Sequence, residues 1–299
     1  MQIARTVIGR YPHTARLRSG EVSPRSVRLE FIDVDPVHEA FGDMIEHQRY
    51  DLCEMAVGAF LQARAAGKPL WLLPVVTLAR PQHGSLYVDP RAGVAGPADL
   101  AGRRVAVRSY SQTTGLWVRG ILEQEYGLDL GAVTWVTTEP AHLAGFVDPA
   151  QAVRAPAGSS VLGLLRQRQV DAAIHAPGQP VTDWCRPLIA DHEVAARRYA
   201  ERLGATPINH LMCVGPRIGE DAGLVGDLHQ AFTRCARVDG RVPPDRKALL
   251  DPARIVPVIE RALTMAQGQG LLESRGLLAE GLDPDGFFAA GCRPARATR

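Results

Sequence analysis

Two histidines stand in matching positions. His83 in "ARPQHGSLYV" and His210 in "TPINHLMCV" each come just ahead of an apolar run of strand character, with Arg80 before the first and Asn209 next to the second. Imidazole is the side chain whose ordinary pKa lies nearest neutrality, so two rings facing one ligand could give and take a proton in one reaction. A guanidinium and a carboxamide beside them are donors that a carboxylate accepts from. A histidine ahead of a strand is also an ordinary structural residue when its ring nitrogens are satisfied, and both readings stay open for each ring.

A third stretch, "SYSQTTGLWVRGILEQEYGL", offers a different chemistry. It follows the apolar strand "RRVAVR" and opens an amphipathic helix, so Ser111, Gln112, Thr113 and Thr114 sit where a strand's carboxyl end meets a helix's amino end. Free backbone N–H groups and the helix dipole favour an anion there. The same hydroxyls could simply cap the helix. Arg119 lies further along it, as a carboxylate partner or as a solvent-facing charge. His175 ends the strand "DAAIHA" ahead of a turn at Pro177 and Gly178, as a cleft residue or an exposed strand end. Tyr11, after the first strand, and Glu54, at the end of "YDLCEM", occupy comparable edges, where a polar loop or a helix-start charge is the plain alternative.

The elements that must position these residues alternate. "IARTVIG", "YDLCEM" and "LWLLPVVTL" read as strands, separated by helical patterns in "PVHEAFGDMIEHQ" and "VGAFLQARAAG". Asp35 and Pro36 offer a cap and first-turn pair for the first of these helices. A second set follows: the strands "SLYVD", "RRVAVRS", "VTWVTT" and "DAAIHA", with helices at "TTGLWVRGILEQEYG" and "VLGLLRQRQV". After the helical "DHEVAARRYAERLG" comes one more strand, "HLMCVG", and then only helices. Such alternation implies mainly parallel sheets flanked by helices. The chain is expected to leave one lobe, build another and return, with residues 1–84 and 211–299 in lobe 1 and 85–210 in lobe 2. The two histidines then fall at the crossings, and ligands of such folds bind between the lobes. Residues 139–160, rich in Ala, Pro and Gly and without period, form a loop long enough to suggest a function.

Composition narrows the rest. A net charge of +2 with interspersed signs is no footprint for nucleic acid. No apolar run reaches membrane-spanning length, and the N-terminus lacks an apolar signal core, so a cytoplasmic location is expected. Lysine occurs only at Lys68 and Lys247; the arginine-rich balance suits carboxylate recognition and equally reflects coding bias. Cys53, Cys185, Cys213, Cys235 and Cys292 form no CxxC pair, so neither a disulfide framework nor a cysteine metal site is indicated. His38 and His47 are too far apart on a helix to chelate together. No GxGxxG, GxxxxGK[ST] or GxSxG motif is present, which disfavours nucleotide cofactors and a serine nucleophile. No cofactor is expected, and no spacing requires a metal, although one bridging His83 and His210 is compatible with it. The expected partner is a small carboxylate. Oligomeric state stays open, a homo-oligomer included.

The order of "YDLCEM", "RPQHGSLYV", "LAGRRVAVRSYSQTTGLWVRGILEQEYGL", "DAAIHAP" and "TPINHLMCV" resembles the 4,5-dihydroxyphthalate decarboxylase family over most of the chain, the block around "TTGLWVRGILEQEYG" being the most specific. The resemblance implies a two-lobed α/β fold similar to type 2 periplasmic solute-binding proteins, with a cleft between the lobes. It also implies cofactor-independent, non-oxidative decarboxylation of a hydroxylated aromatic acid. Departures fall at the expected cleft. Gly9-Arg10-Tyr11-Pro12 replaces a usual Gly-Asp-Tyr-Asp, His175-Ala176-Pro177 stands where Arg-Pro-Pro is usual, and the 139–160 loop differs. Such a reaction needs a proton delivered to the ring carbon that bears the carboxylate, an acceptor near a ring hydroxyl, and donors for carboxylate oxygens. His83 and His210 are the expected acid/base groups and Arg80 and Arg119 the carboxylate partners. Ser111 to Thr114 would form an anion wall, with Asn209, Tyr11, Glu54 and His175 around the substrate. The alternatives are a non-catalytic carboxylate-binding protein and a lyase for a different acid.

Overall fold

The computed structural model describes residues 1–175, 183–237, 249–273 and 282–292. The chain begins with β1 (Gln2–Val7), β2 (Val27–Phe31), β3 (Leu52–Ala56) and β4 (Trp71–Ala79). It then builds a separate sheet from β5 (Leu86–Val88), β6 (Arg104–Val107), β7 (Thr134–Thr137), β8 (Ala152–Arg154), β9 (Ala172–Ile174) and β10 (Arg186–Pro187). Finally β11 (Ile208–Val214) returns to the first sheet, whose order is β2-β1-β3-β11-β4; the second runs β10-β5-β9-β6-β7-β8.

Both sheets are mixed. In the first, β1 is parallel to β2 and β3, while β11 is antiparallel to β3 and β4. In the second, β6, β7, β8 and β9 are parallel, while β5 is antiparallel to β9 and β10. The reversed strand in each sheet is the one that follows a crossing. The division at 210/211 falls inside β11, which pairs with the first sheet from Ile208 to Val214.

Helices α1 (Ala15–Arg18), α2 (Ala40–His47) and α3 (Val57–Ala65) go with the first sheet, and α4 (Thr113–Tyr126), α5 (Val161–Arg166) and α6 (His192–Leu203) with the second. The last helices, α7 (Pro216–Gly219), α8 (Ala222–Cys235) and α9 (Pro252–Gly268), pack back on the first. Residues 37–39 form a 3-10 turn, so α2 starts at Ala40 rather than directly after Asp35 and Pro36. Pro177 and Gly178 lie outside the described residues. No described helix is long and apolar enough to cross a membrane.

Helix α4 holds the two halves in register. Its start touches α3 because Gly58 has no side chain: a Cβ there would sit 2.6 Å from the Ser111 carbonyl oxygen. Instead, the Gly58 N–H donates to Thr113 Oγ1 at 2.9 Å. Trp117, fully buried, donates its indole N–H to the Ile208 carbonyl at 2.8 Å. Gly120 admits Met265 of α9 where a Cβ would overlap its sulfur. The helix stops at Gly127, whose φ of 65° is left-handed backbone that glycine adopts without a Cβ clash. The two crossings are tied directly as well, the Arg80 N–H donating to the Pro207 carbonyl at 3.1 Å.

Candidate active site

A cavity of about 520 Å³ is lined from both sheets. Ala56 and Ala59 bring the start of α3 to it, Ser111 to Thr114 the start of α4, and Ser159 to Leu162 the start of α5. Arg80, Asn209 and His210 come from the crossings, and Ile174 and His175 from the end of β9. Carboxyl ends of parallel strands and amino ends of the following helices thus converge, which is where open α/β sheets bind ligands. The first N–H groups of each helix lack intrahelical acceptors, so their partial positive charge favours an anion.

His210 is the most constrained polar side chain at the cavity. Its Nδ1 lies 2.6 Å from Glu54 Oε1. Glu54 is fully buried on the neighbouring strand, where Ala56 pairs with His210 across the ladder. The same Oε1 accepts from the Tyr11 hydroxyl at 2.6 Å, and Oε2 accepts the Gly9 N–H at 2.8 Å. Burial alone would raise the Glu54 carboxyl, but the hydrogen bond and charge of His210, with Tyr11 and Gly9, hold it below its ordinary value. Burial and the facing Glu54 carboxylate push the Tyr11 phenol well above its ordinary value, so it stays a donor. Nδ1–H therefore points to Glu54 and Nε2 is the nitrogen left for a ligand.

Much of the rest of the lining is cationic and dipolar. Arg80 is half-buried, and desolvation lowers its pKa from the ordinary arginine value. Arg108, on the loop into α4, pairs with Glu139 at 2.7 Å. Gln112 precedes α4 without capping it, and its buried Oε1 has no partner. Thr113 Oγ1 is engaged by Gly58, and Asn209 donates to Thr114 Oγ1 at 3.4 Å. Both threonine hydroxyls accept in these bonds and keep their O–H to donate, so the donors here are hydroxyls, backbone N–H groups and guanidinium.

Sequence comparison fits this geometry. Over 244 residues the chain is 30% identical to the 4,5-dihydroxyphthalate decarboxylase of Comamonas testosteroni, an alignment covering 75% of this chain and 72% of that one. It is 33% identical over 175 residues to the enzyme of the same name from Pseudomonas putida, covering 56% and 67%. The chain belongs to the 4,5-dihydroxyphthalate decarboxylase family. No family model matches it. The alkanesulfonate-binding protein SsuA of Xanthomonas axonopodis pv. citri, solved with MOPS bound, superposes with a TM-score of 0.53 at 15% identity over 93% of this chain and 97% of that one. That likeness establishes the solute-binding-type fold.

Within this family member, two expected site residues stand elsewhere. His83 does not line the cavity. It opens a 3-10 turn, His83–Ser85, that carries its ring away toward α4 and α6, with Nε2 2.8 Å from Glu125 and the ring edge against Tyr199. Burial and the nearby Arg202 charge hold it down to about 4, so it donates Nε2–H to the carboxylate as a neutral ring. No metal can bridge His83 and His210 in this arrangement, and no cluster of His, Cys, Asp and Glu suited to a metal occurs among the described residues. Arg119 is also displaced. It lies beyond the first turn of α4, fully buried, with Nε on Gln269 at 2.8 Å, Nη2 on the Tyr110 carbonyl at 2.6 Å, and its plane over the Tyr110 ring. It is a core residue that joins α4 to the end of α9.

Tyr11 and Glu54 are not in the cavity wall but directly behind it, through His210. His175 lines the cavity with its buried Nε2 unpartnered. Among the lining residues outside the expected site are three that can bond a ligand through nitrogen, Arg108, His38 and His142. The sequence spacing of His38 bears only on a shared metal with His47, not on a ligand contact. The available signal for His142 was the period-free 139–160 segment itself, since a histidine in a long loop beside a cleft is a natural candidate.

Proposed function

We propose that the chain is a carboxy-lyase that decarboxylates a hydroxylated aromatic carboxylic acid, 4,5-dihydroxyphthalate-like, without a cofactor. The observation that carries this reading is the Tyr11–Glu54–His210 chain, a buried carboxylate fixing one imidazole nitrogen and leaving the other to the cavity. Glu54 fixes Nδ1, which leaves Nε2 as the nitrogen through which His210 passes a proton to a bound acid.

The reaction balances without another reactant. A ring hydroxyl ortho or para to the reacting carbon donates electron density, and that carbon takes the proton from His210 Nε2, becoming tetrahedral. The bond to the carboxylate then breaks, its electron pair restores the aromatic ring, and CO₂ departs. His210 regains a proton from water. Arg80, Arg108 and the amino end of α4, which line the same cavity, orient anionic groups. They serve the rate only if they hold the departing carboxylate no more firmly in the ground state than in the transition state. A second, retained carboxylate is thus the better partner for the guanidinium groups.

A solute-binding protein would share the fold and the dipolar wall. It has no need of a fully buried carboxylate that fixes one nitrogen of an imidazole at the cavity. The test is CO₂ release, with loss of substrate ultraviolet absorbance, across a panel of hydroxylated aromatic acids. Turnover of an ortho- or para-hydroxylated member supports the reading; binding of panel members with no CO₂ from any of them removes it.

A further inference from the structure

The segment between β7 and β8 leaves the second sheet and lies down on α2, beside the cavity. The Ala144 N–H donates to Glu46 Oε1 at 3.0 Å. The other oxygen of Glu46 holds Lys68 Nζ at 2.6 Å, just beyond the end of α3. Between these anchors His142 turns toward the cavity. Its ring meets Phe41 edge-on, with centroids 5.2 Å apart and planes at 68°, and stands 6.0 Å from the ring of His38. The His142 carbonyl oxygen is 3.7 Å from where a Cβ of Gly42 would stand, so the strap lies close on the helix. Three side chains, His38, Phe41 and His142, line the cavity here.

These side chains differ in kind from the guanidinium groups that line the same cavity. Burial first, then the charges of Arg108, His38 and His210, hold His142 down to about 4, and burial with Arg108 lowers His38 as well. Neutral imidazoles offer one donor and one acceptor each, which suits a hydroxyl and does not neutralise a carboxylate. Phe41 beside them covers an aromatic edge. Resting on the reading that the cavity takes a hydroxylated aromatic acid, we propose that His142, held over the cavity by the Glu46 latch, is a specificity-determining residue that hydrogen-bonds a ring hydroxyl of the bound acid.

The test is equilibrium binding by calorimetry with two probes, 3,4-dihydroxybenzoate and benzoate. His142→Phe keeps an aromatic ring against Phe41 and removes both nitrogens. It is expected to weaken the dihydroxylated probe about tenfold, the worth of one hydrogen bond, and to leave benzoate within about twofold. Glu46→Ala frees the latch and is expected to give the same selective loss at about threefold, while Glu46→Gln, which keeps an acceptor for the Ala144 N–H, restores most of it. Equal weakening of both probes, or no change, in His142→Phe overturns the proposal. Should that variant not fold, the Glu46 pair carries the same two outcomes. Wild-type protein that binds neither probe would instead overturn the underlying reading of the cavity.

Discussion

Among the described residues, two histidine–glutamate pairs of nearly equal length occur, and they are opposites. At His210 and Glu54, 2.6 Å apart, the carboxylate is fully buried and the imidazole keeps 18% of its side-chain surface. At His83 and Glu125, 2.8 Å apart, the imidazole is 1% exposed and the carboxylate 16%, with Arg202 on its other oxygen. In the first pair a hidden charge steadies a ring that can exchange a proton with a ligand. In the second a hidden ring is tied to a carboxylate already neutralised from outside. The partner that is buried decides the use of the pair, and neither distance nor residue type reveals it.

The comparison can be broken most sharply at His210. His210→Gln is expected to lose about three decades of turnover, within the range for a positioned acid–base group, with folding retained by circular dichroism. Glu54→Gln keeps the shape but leaves the imidazole without its charge partner, and about two decades of loss are expected in the same assay. Tyr11→Phe removes one of three donors to Glu54, and a drop of about threefold to tenfold in kcat is expected. His83→Gln should change turnover least, within about threefold, because nothing at that ring faces the cavity.

That last variant sharpens the comparison in stability instead. The His83 ring titrates near 6.5 when free and near 4 in the fold, so between those values the unfolded chain binds a proton that the folded chain excludes. Stability therefore falls as pH falls from 6.5 toward 4. His142 adds to the same slope. Urea midpoints measured across this window should decline for the wild type and decline less for His83→Gln. An identical slope in the variant would show that His83 is not the buried neutral ring described here.

Much of this was legible in local sequence. Most strands and helices follow from apolar periods, and the start of α4 from a strand and a polar turn, but β2, β8 and β10 do not, β8 lying inside the expected 139–160 loop. Histidines at both crossings were also visible. What local sequence could not give is the direction in which a crossing turns. Arg80 reaches the cavity, while a 3-10 turn from His83 to Ser85 carries His83 out of it. Nor could it give partners far away in the chain. Arg119 is buried by Gln269, 150 residues later, and Glu54 meets His210 across 156. His142 escaped because a period-free segment carries no facing information, and only its docking on α2 shows which side chain turns inward.

The central claim is that His210, and not His83, handles the proton. Nitrogen-15 spectra of histidine-labelled protein, recorded while 3,4-dihydroxybenzoate is added, test it at the atoms concerned. The account predicts that His210 Nε2 shifts on binding while its Nδ1 stays protonated toward Glu54, and that both His83 nitrogens stay still. Movement at His83 with His210 unchanged would contradict it.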